Sequence, residues 1–197
     1  EPQDLKFKGE YTTAEIGDNT TLRECVTVHR GTAAKGRTVV GSNCLIMAYS
    51  HVAHDCLLGN NLIISNATQL AGEVVVDANA VIGGGTLVHQ FTHIGSYSMI
   101  QGRTRMQFYR FKNQEYVMAA RTPVSFVGLN IVGLRRRGFS NELIATIQEM
   151  YRRIFNSDYN MTDALNSIEA ELPASPERDY VLDFIRSSSR GVIKGLR

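Results

Sequence analysis

The chain has 197 residues with 21 basic and 19 acidic side chains, a formal charge of +2 and 43% hydrophobic content. That is enough for one repeat domain and a small appendage, and the balance is that of an ordinary soluble protein rather than a disordered one. No apolar stretch approaches the roughly 20 residues of a membrane-spanning helix, no signal peptide opens the chain, and three cysteines without framework spacing (Cys25, Cys44, Cys56) suggest reduced thiols in a cytoplasmic protein.

Residues 1–13 precede any regular pattern and read as a loop or strand edge. From Ile16 onward, one residue in six is aliphatic: Ile16, Leu22, Val28, then Val40, Ile46, Val52 and on to Ile94 and Ile100. Of the fifteen positions in this frame only Ala34 is not Ile, Leu or Val. A six-residue period held this long fits neither a helix nor an alternating strand. It is the signature of a parallel β-helix, in which each coil stacks its aliphatic position on the coil below. Gly41, Gly59 and Gly95 recur at multiples of 18, with Asp77 on the missing rung. Three hexads therefore make one coil with three sides. One corner per coil is expected to need a backbone shape that Gly tolerates best and Asp or Asn next. The weak position at Ala34, within Thr32-Ala-Ala-Lys-Gly-Arg37, predicts a small excursion. The β-helix is predicted over residues 1–102.

Residues 103–139 lose the hexad and are predicted to connect the coil to the C-terminal part of the chain. Within 101–137, eight basic residues (Arg103, Arg105, Arg110, Lys112, Arg121, Arg135, Arg136, Arg137) stand against one acid, Glu115. Such a segment suits an anionic partner, whether a phosphate group, an acidic protein or nucleic acid, or is simply a solvated surface. A helical domain is predicted over 140–197. Its first helix is capped at Ser140 or Asn141 and runs through Phe155, with Leu143, Ile144, Ile147, Met150, Tyr151 and Ile154 at helical spacing. A second covers about Thr162–Leu172. A third begins at Ser175-Pro176, a capping Ser followed by Pro at the first helical position. These helices are expected to cover the open end of the stack and its last strand edges.

All five histidines (His29, His51, His54, His89, His93) avoid the inward position, so none is a core histidine of the coil. Stacking by 18 places His54, Gly72 and Gln90 in one column, and Ala53, Ala71 and His89 in the next, with coils about 4.8 Å apart. Gly72 lacks a side chain and opens a notch between His54 and Gln90. Asp55 follows His54, and a carboxylate that touches an imidazole fixes its tautomer for work as a general base. Neighbours on a strand point apart, but a corner relaxes that restriction. Cys56 reads as inward, so direct transfer is favoured over a covalent intermediate. This cluster is a plausible site.

The segments His51-Val-Ala-His54-Asp55-Cys56, Asn66-Ala-Thr-Gln-Leu-Ala-Gly72, Val88-His89-Gln90-Phe91, Asn130-Ile-Val-Gly-Leu-Arg-Arg-Arg137-Gly-Phe and Phe184-Ile-Arg-Ser-Ser-Ser-Arg-Gly191 together resemble one family. It is the UDP-N-acetylglucosamine O-acyltransferases, which carry out the first step of lipid A biosynthesis. The resemblance implies a left-handed coil and a homotrimer with sites between subunits. It implies transfer of a 3-hydroxyacyl chain from acyl carrier protein to the 3-hydroxyl of UDP-N-acetylglucosamine, with no cofactor, no metal and no nucleic acid. His54 matches the general base and Asp55 its partner, with the Gly72 amide as an oxyanion donor. His51, His89 and Gln90 match positions around the reacting groups. Gln3, Asp4 and Lys6 match a segment touching sugar and phosphate; Asn130, Arg136 and Arg137 match nucleotide contacts; Gly102 matches an acyl-chain ruler.

The chain departs from the family at Glu73, where a His is usual, and at Val132, where a Glu is usual. It lacks the usual Asp-x-Pro-Pro-Tyr link within residues 103–117. It also reads as a fragment, because members carry further coils before the Gln3 segment. Two other classes use the same coil. An acetyltransferase that takes acetyl-CoA differs only in donor binding, and a carbonic anhydrase needs three metal-binding histidines at a spacing that His89 and His93 do not match. A purely structural solenoid would not gather His, Asp and Gln around Gly72.

Overall fold

The computed structural model describes residues 1–106, 112–113, 116–120, 124–155, 159–188 and 192–193, with only the backbone of Lys112 and Asn113. Arg110 and Arg121 of the basic cluster, and the Ser189-Arg-Gly191 end of the last motif, lie outside these residues, as does the Lys112 side chain.

The chain forms the predicted left-handed parallel β-helix with C-terminal helices. One side of the prism stacks Thr13–Ile16, Arg37–Val40, Leu57–Leu58, Val75–Val76, His93–Ile94 and Lys112–Asn113. A second stacks Thr21–Leu22, Leu45–Ile46, Ile63–Ile64, Val81–Ile82, Met99–Ile100 and Val117–Ala120. The third stacks Thr27–Val28, His51–Val52, Gln69–Leu70, Leu87–Val88 and Arg105–Met106. Between Arg37 and Met106 each residue pairs with the one 18 further on, as in Val40 with Leu58 and Ile64 with Ile82. The inward aliphatics Ile46, Ile64, Ile82 and Ile100 form one continuous buried column. Full burial of such a side chain contributes roughly 1.5–3 kcal/mol, which is what holds a frame of two-residue strands.

The register departs from 18 at two places. Ile16 pairs with Val40 and Val28 with Val52, a step of 24. The whole hexad around Ala34 therefore leaves the coil, and Ala34 itself is exposed. The excursion is larger than expected, because one methyl group gives little reason to occupy a core position. At the other end the coil does not stop at Gly102. Arg105–Met106 pairs with Leu87–Val88, and Val117–Ala120 pairs with Met99–Ile100 at a step of 19. The first part of the expected connecting segment is thus further coil. Met106 and Ala119 fill the inward position, but one extra residue breaks the frame on which the pattern rests.

The corner expectation also needs correction. Positive φ falls at every sixth residue, including Asn43, Asp55, Asn61, Glu73, Asn79, Phe91 and Tyr97, and not at Gly41 or Gly59. The left-handed shape costs a non-glycine residue about 1–2 kcal/mol. Each such residue donates its amide to the coil below, as Asn61 does to Ser42 and Glu73 to His54. Gly41 is required for a different reason: a Cβ there would sit 2.5 Å from the Gly59 carbonyl oxygen. Asp77 shares that column, but as an anchor. Its carboxylate accepts from the Tyr180 hydroxyl at 2.8 Å and contacts His93 Nε2 at 2.9 Å.

Helices α1 (Ile131–Arg136), α2 (Asn141–Phe155), α3 (Met161–Glu171) and α4 (Pro176–Arg186) follow. The last three match expectation, with Ser140 accepting from Leu143 and Ser175 capping α4 above Pro176. Helix α1 was not predicted; its six residues are too few to show a period. The expected covering of the last strand edge comes from Ser125–Leu129, which pairs antiparallel with Val117–Ala120. The helices also grip the flank of the prism. Tyr180 bonds Ser96 as well as Asp77, and Phe184 packs on His93 with ring centroids 4.7 Å apart.

Candidate active site

His54 and Asp55 occupy the corner between the third and first sides. The left-handed backbone at Asp55, φ 60°, swings its side chain back toward its neighbour. His54 Nδ1 lies 2.8 Å from Asp55 Oδ2. Asp55 is 0% exposed. Burial is the largest single influence on its carboxyl and pushes it up, but hydrogen bonds from Thr32 and His54 outweigh this and hold it below the usual carboxylate range. An ionised carboxylate accepts the Nδ1 proton, which leaves Nε2 as the acceptor. No partner within the described residues occupies that Nε2. A Cβ built on Gly72 would fall 2.6 Å from it. The predicted column is real, since Glu73 donates to the His54 carbonyl and Phe91 to the Gly72 carbonyl.

His54 opens into a cavity of about 450 Å³ that Gln3, His51, Gly72 and His89 also line. Gln69 and Leu87 line it too and were not singled out from sequence, and so do Met106 and Arg105 of the basic cluster. The signal was present, because His51, Gln69, Leu87 and Arg105 are successive rungs at 18 residues. His51 Nδ1 meets the Thr27 hydroxyl at 2.7 Å, and its ring packs edge-on against His29, centroids 4.7 Å apart. Burial pushes both imidazoles below their ordinary value, and mutual repulsion adds to this for His51. His89 turns Nδ1 toward the Gln90 carbonyl at 3.1 Å. Among the described residues, no group of three or more His, Cys, Asp or Glu side chains could hold a metal ion.

The remaining predicted residues do not join this cavity within one chain. Asp4 caps a turn by accepting from the Lys6 amide at 2.9 Å. Asn130 has both ends of its amide engaged, accepting from Gly133 N–H and donating to the Tyr97 carbonyl. It therefore caps α1 rather than presenting a free side chain. Arg137 lies over the Tyr97 ring at 5.8 Å, at the corner between the first and second sides. Gly102 sits at the corner between the second and third sides. The Glu73 departure is an ion pair, 3.9 Å from Lys35 on the excursion. Val132 is exposed on α1.

A family model described as Udp N-acetylglucosamine O-acyltransferase, Domain 2, matches residues 115–193, and the bacterial transferase hexapeptide model (six repeats) matches 37–72. An acyl-[acyl-carrier-protein]–UDP-N-acetylglucosamine O-acyltransferase of Alkalilimnicola ehrlichii is 40% identical over 98% of this chain and 74% of its own. The chain belongs to the UDP-N-acetylglucosamine O-acyltransferase family. The Anaeromyxobacter sp. (strain K) member is 37% identical over the same shares. The solved UDP-N-acetylglucosamine acyltransferase of Bacteroides fragilis superposes with TM-score 0.93 at 55% identity, covering 98% of this chain and 74% of that one. Its Acinetobacter baumannii counterpart gives 0.91 at 39%, with the same coverage.

For an acyltransferase, the first question is whether the acyl group rests on the protein. Cys56, two residues from His54, is the nearest thiol in sequence. It is fully buried, donates to the Ala71 carbonyl, and burial pushes it up to about 12. A thiol at that value supplies almost no thiolate at neutral pH. Cys56 is therefore not an activated nucleophile.

Proposed function

We propose that this acyltransferase moves a 3-hydroxyacyl chain directly from acyl carrier protein to the 3-hydroxyl of UDP-N-acetylglucosamine, the first step of lipid A biosynthesis. The observation that carries the reading is His54, tied to buried Asp55 through Nδ1 and open to the cavity through Nε2. His54 takes the sugar hydroxyl proton as the oxygen attacks the thioester carbonyl. Asp55 stabilises the imidazolium that forms; when the C–S bond breaks, the carrier's sulfur leaves as the thiol by taking that proton from His54. The Gly72 amide, in the notch against His54, is assigned to the carbonyl oxygen as it becomes an oxyanion. His51 and His89 surround the reacting groups, Gln90 is assigned to the rung above Gly72, outside the cavity lining of one chain, and Gln3 reaches the sugar from the N-terminal turn that Asp4 and Lys6 form. Incubation with UDP-N-acetylglucosamine and hydroxyacyl carrier proteins of several lengths, read by mass of the nucleotide sugar, tests the reading. No acylated product with any donor overturns it.

The remaining assignments need a second chain. His54, Arg137 and Gly102 occupy three different edges of one prism. A cyclic trimer brings unlike edges of neighbouring copies together. Arg136 and Arg137 are assigned to the nucleotide of a site centred on the neighbour's His54, with the basic segment beside the acidic carrier. Reversing both charges is expected to abolish most activity, as is His54→Ala. Co-refolding the two inactive variants is expected to restore roughly a quarter of wild-type sites, where an intact His54 meets an intact arginine pair. No recovery in the mixture would place both parts in one chain. Gly102 is assigned to the end of the acyl groove, where the missing side chain leaves room. Gly102→Met is expected to shift donor preference to shorter chains while activity with those is kept. If wild type and variant prefer the same length, the groove ends elsewhere, and Leu87 and Arg105 become the candidates.

A further inference from the structure

The excursion between Gly31 and Arg37 breaks the coil directly beneath the His54–Asp55 corner. Elsewhere above the first coil, each left-handed corner residue donates its amide to a backbone carbonyl one coil back. For Asp55 that carbonyl would be Gly36, by the step of 19 that links Glu73 to His54. Gly36 has moved with the excursion, and its carbonyl accepts from Thr13 instead. The Asp55 amide donates to the Thr38 hydroxyl at 2.8 Å. Thr32 supplies the rest of the environment. Its amide donates to Asp55 Oδ1 at 2.9 Å and its hydroxyl to Asp55 Oδ2 at 2.6 Å. Thr32 is itself buried, and Gly36 donates to its carbonyl at 2.7 Å. The strap around it is tied down by the Ala33 amide to Glu10 and by Lys35 to Glu73.

Within the described residues, the donors given to the Asp55 carboxylate are His54 and Thr32. Among the described residues, no cationic side chain is paired with it other than the imidazole. A buried carboxylate without donors protonates or turns toward one. Either change removes the acceptor from His54 Nδ1 and lets the imidazole take the other tautomer. From this geometry we infer that Thr32 is a positioning residue, fixing Asp55 so that His54 presents Nε2 as the base. The inference rests on the proposed role of His54. It also gives the excursion a purpose, since Thr32 lies on the detour that a coil with an unbroken step of 18 would lack.

The test compares Thr32→Val and Thr32→Ser in the full chain. Valine keeps the volume and the amide donor but removes the hydroxyl; serine restores it. Thr32→Val is expected to lower kcat roughly ten- to hundredfold with little change in KM for the nucleotide sugar, the effect of removing one buried hydrogen bond to a charged group. Thr32→Ser is expected to recover most of the loss. Nitrogen NMR of the His54 ring reads the tautomer directly: Nδ1–H in wild type and the serine variant, a mixture in the valine variant. Wild-type kcat and an unchanged tautomer in Thr32→Val overturn the proposal while leaving His54 in place. If His54→Ala remains active, the base assignment fails, and Thr32 with it. Should Thr32→Val not fold, Thr32→Ala gives the same two readouts. Loss of kcat with the tautomer unchanged would mark Thr32 as merely structural and overturn the proposal.

Discussion

His54→Ala is expected to lower turnover by about 10² or more with the fold intact. The imidazole combines a tautomer fixed by Asp55 with an Nε2 open to the cavity. His51 and His89 line the same space, but each has Nδ1 engaged by an uncharged oxygen, from Thr27 and Gln90. Only for His54 does a buried carboxylate meet Nδ1 among these contacts. Steady-state rates with saturating nucleotide sugar and donor decide the matter, with thermal unfolding as the control. Activity within a few-fold of wild type would remove His54 from the mechanism. Asp55 is less informative as a first target, because removing one partner of a buried charged pair destabilises the fold as well.

Gly72→Ala is expected to be comparably severe, although alanine adds a single methyl group. That carbon would lie 2.5 Å from His54 Cε1 and 2.6 Å from Nε2, well inside contact distance. The ring must rotate, and rotation breaks the 2.8 Å contact with Asp55. The methyl also fills the space facing Nε2. Misplacing a reacting group by about 1 Å can cost on the order of 10² in rate, and a loss of that size in kcat is expected. The Gly72 backbone has ordinary φ, so the fold should tolerate alanine and melting should change little. A variant with wild-type kcat would mean that the imidazole does not work where this geometry holds it.

The prism was legible in the sequence because its rules are local and repeat. An inward aliphatic residue every six and three hexads to a coil follow from strand pairing alone. Simple counting along the chain then places Gly72 on His54 and Leu87 on Gln69. The three long helices were legible for the same reason, since a period of 3.6 and a capping Ser are written within a few residues. Where the period lapsed, so did the inference. The coil beyond Gly102 was hidden by one extra residue, and Ser125–Leu129 runs antiparallel with no repeat to announce it. The cap that Asn130 places on α1 was likewise not announced by any repeat.

What the sequence determined by itself is the stacking of residues 37–102 and the His54 notch, because neighbours there are set by a fixed count. What only the tertiary structure decided lies between residues that no count connects. Thr32 reaches Asp55 because a six-residue detour folds under the corner. Asp77 leaves the glycine pattern because Tyr180, 103 residues later, comes to meet it. The predicted contacts spread over three edges because a prism keeps its corners apart. A repeat specifies how the chain meets its next coil; it carries no information about where a detour or a distant helix will land.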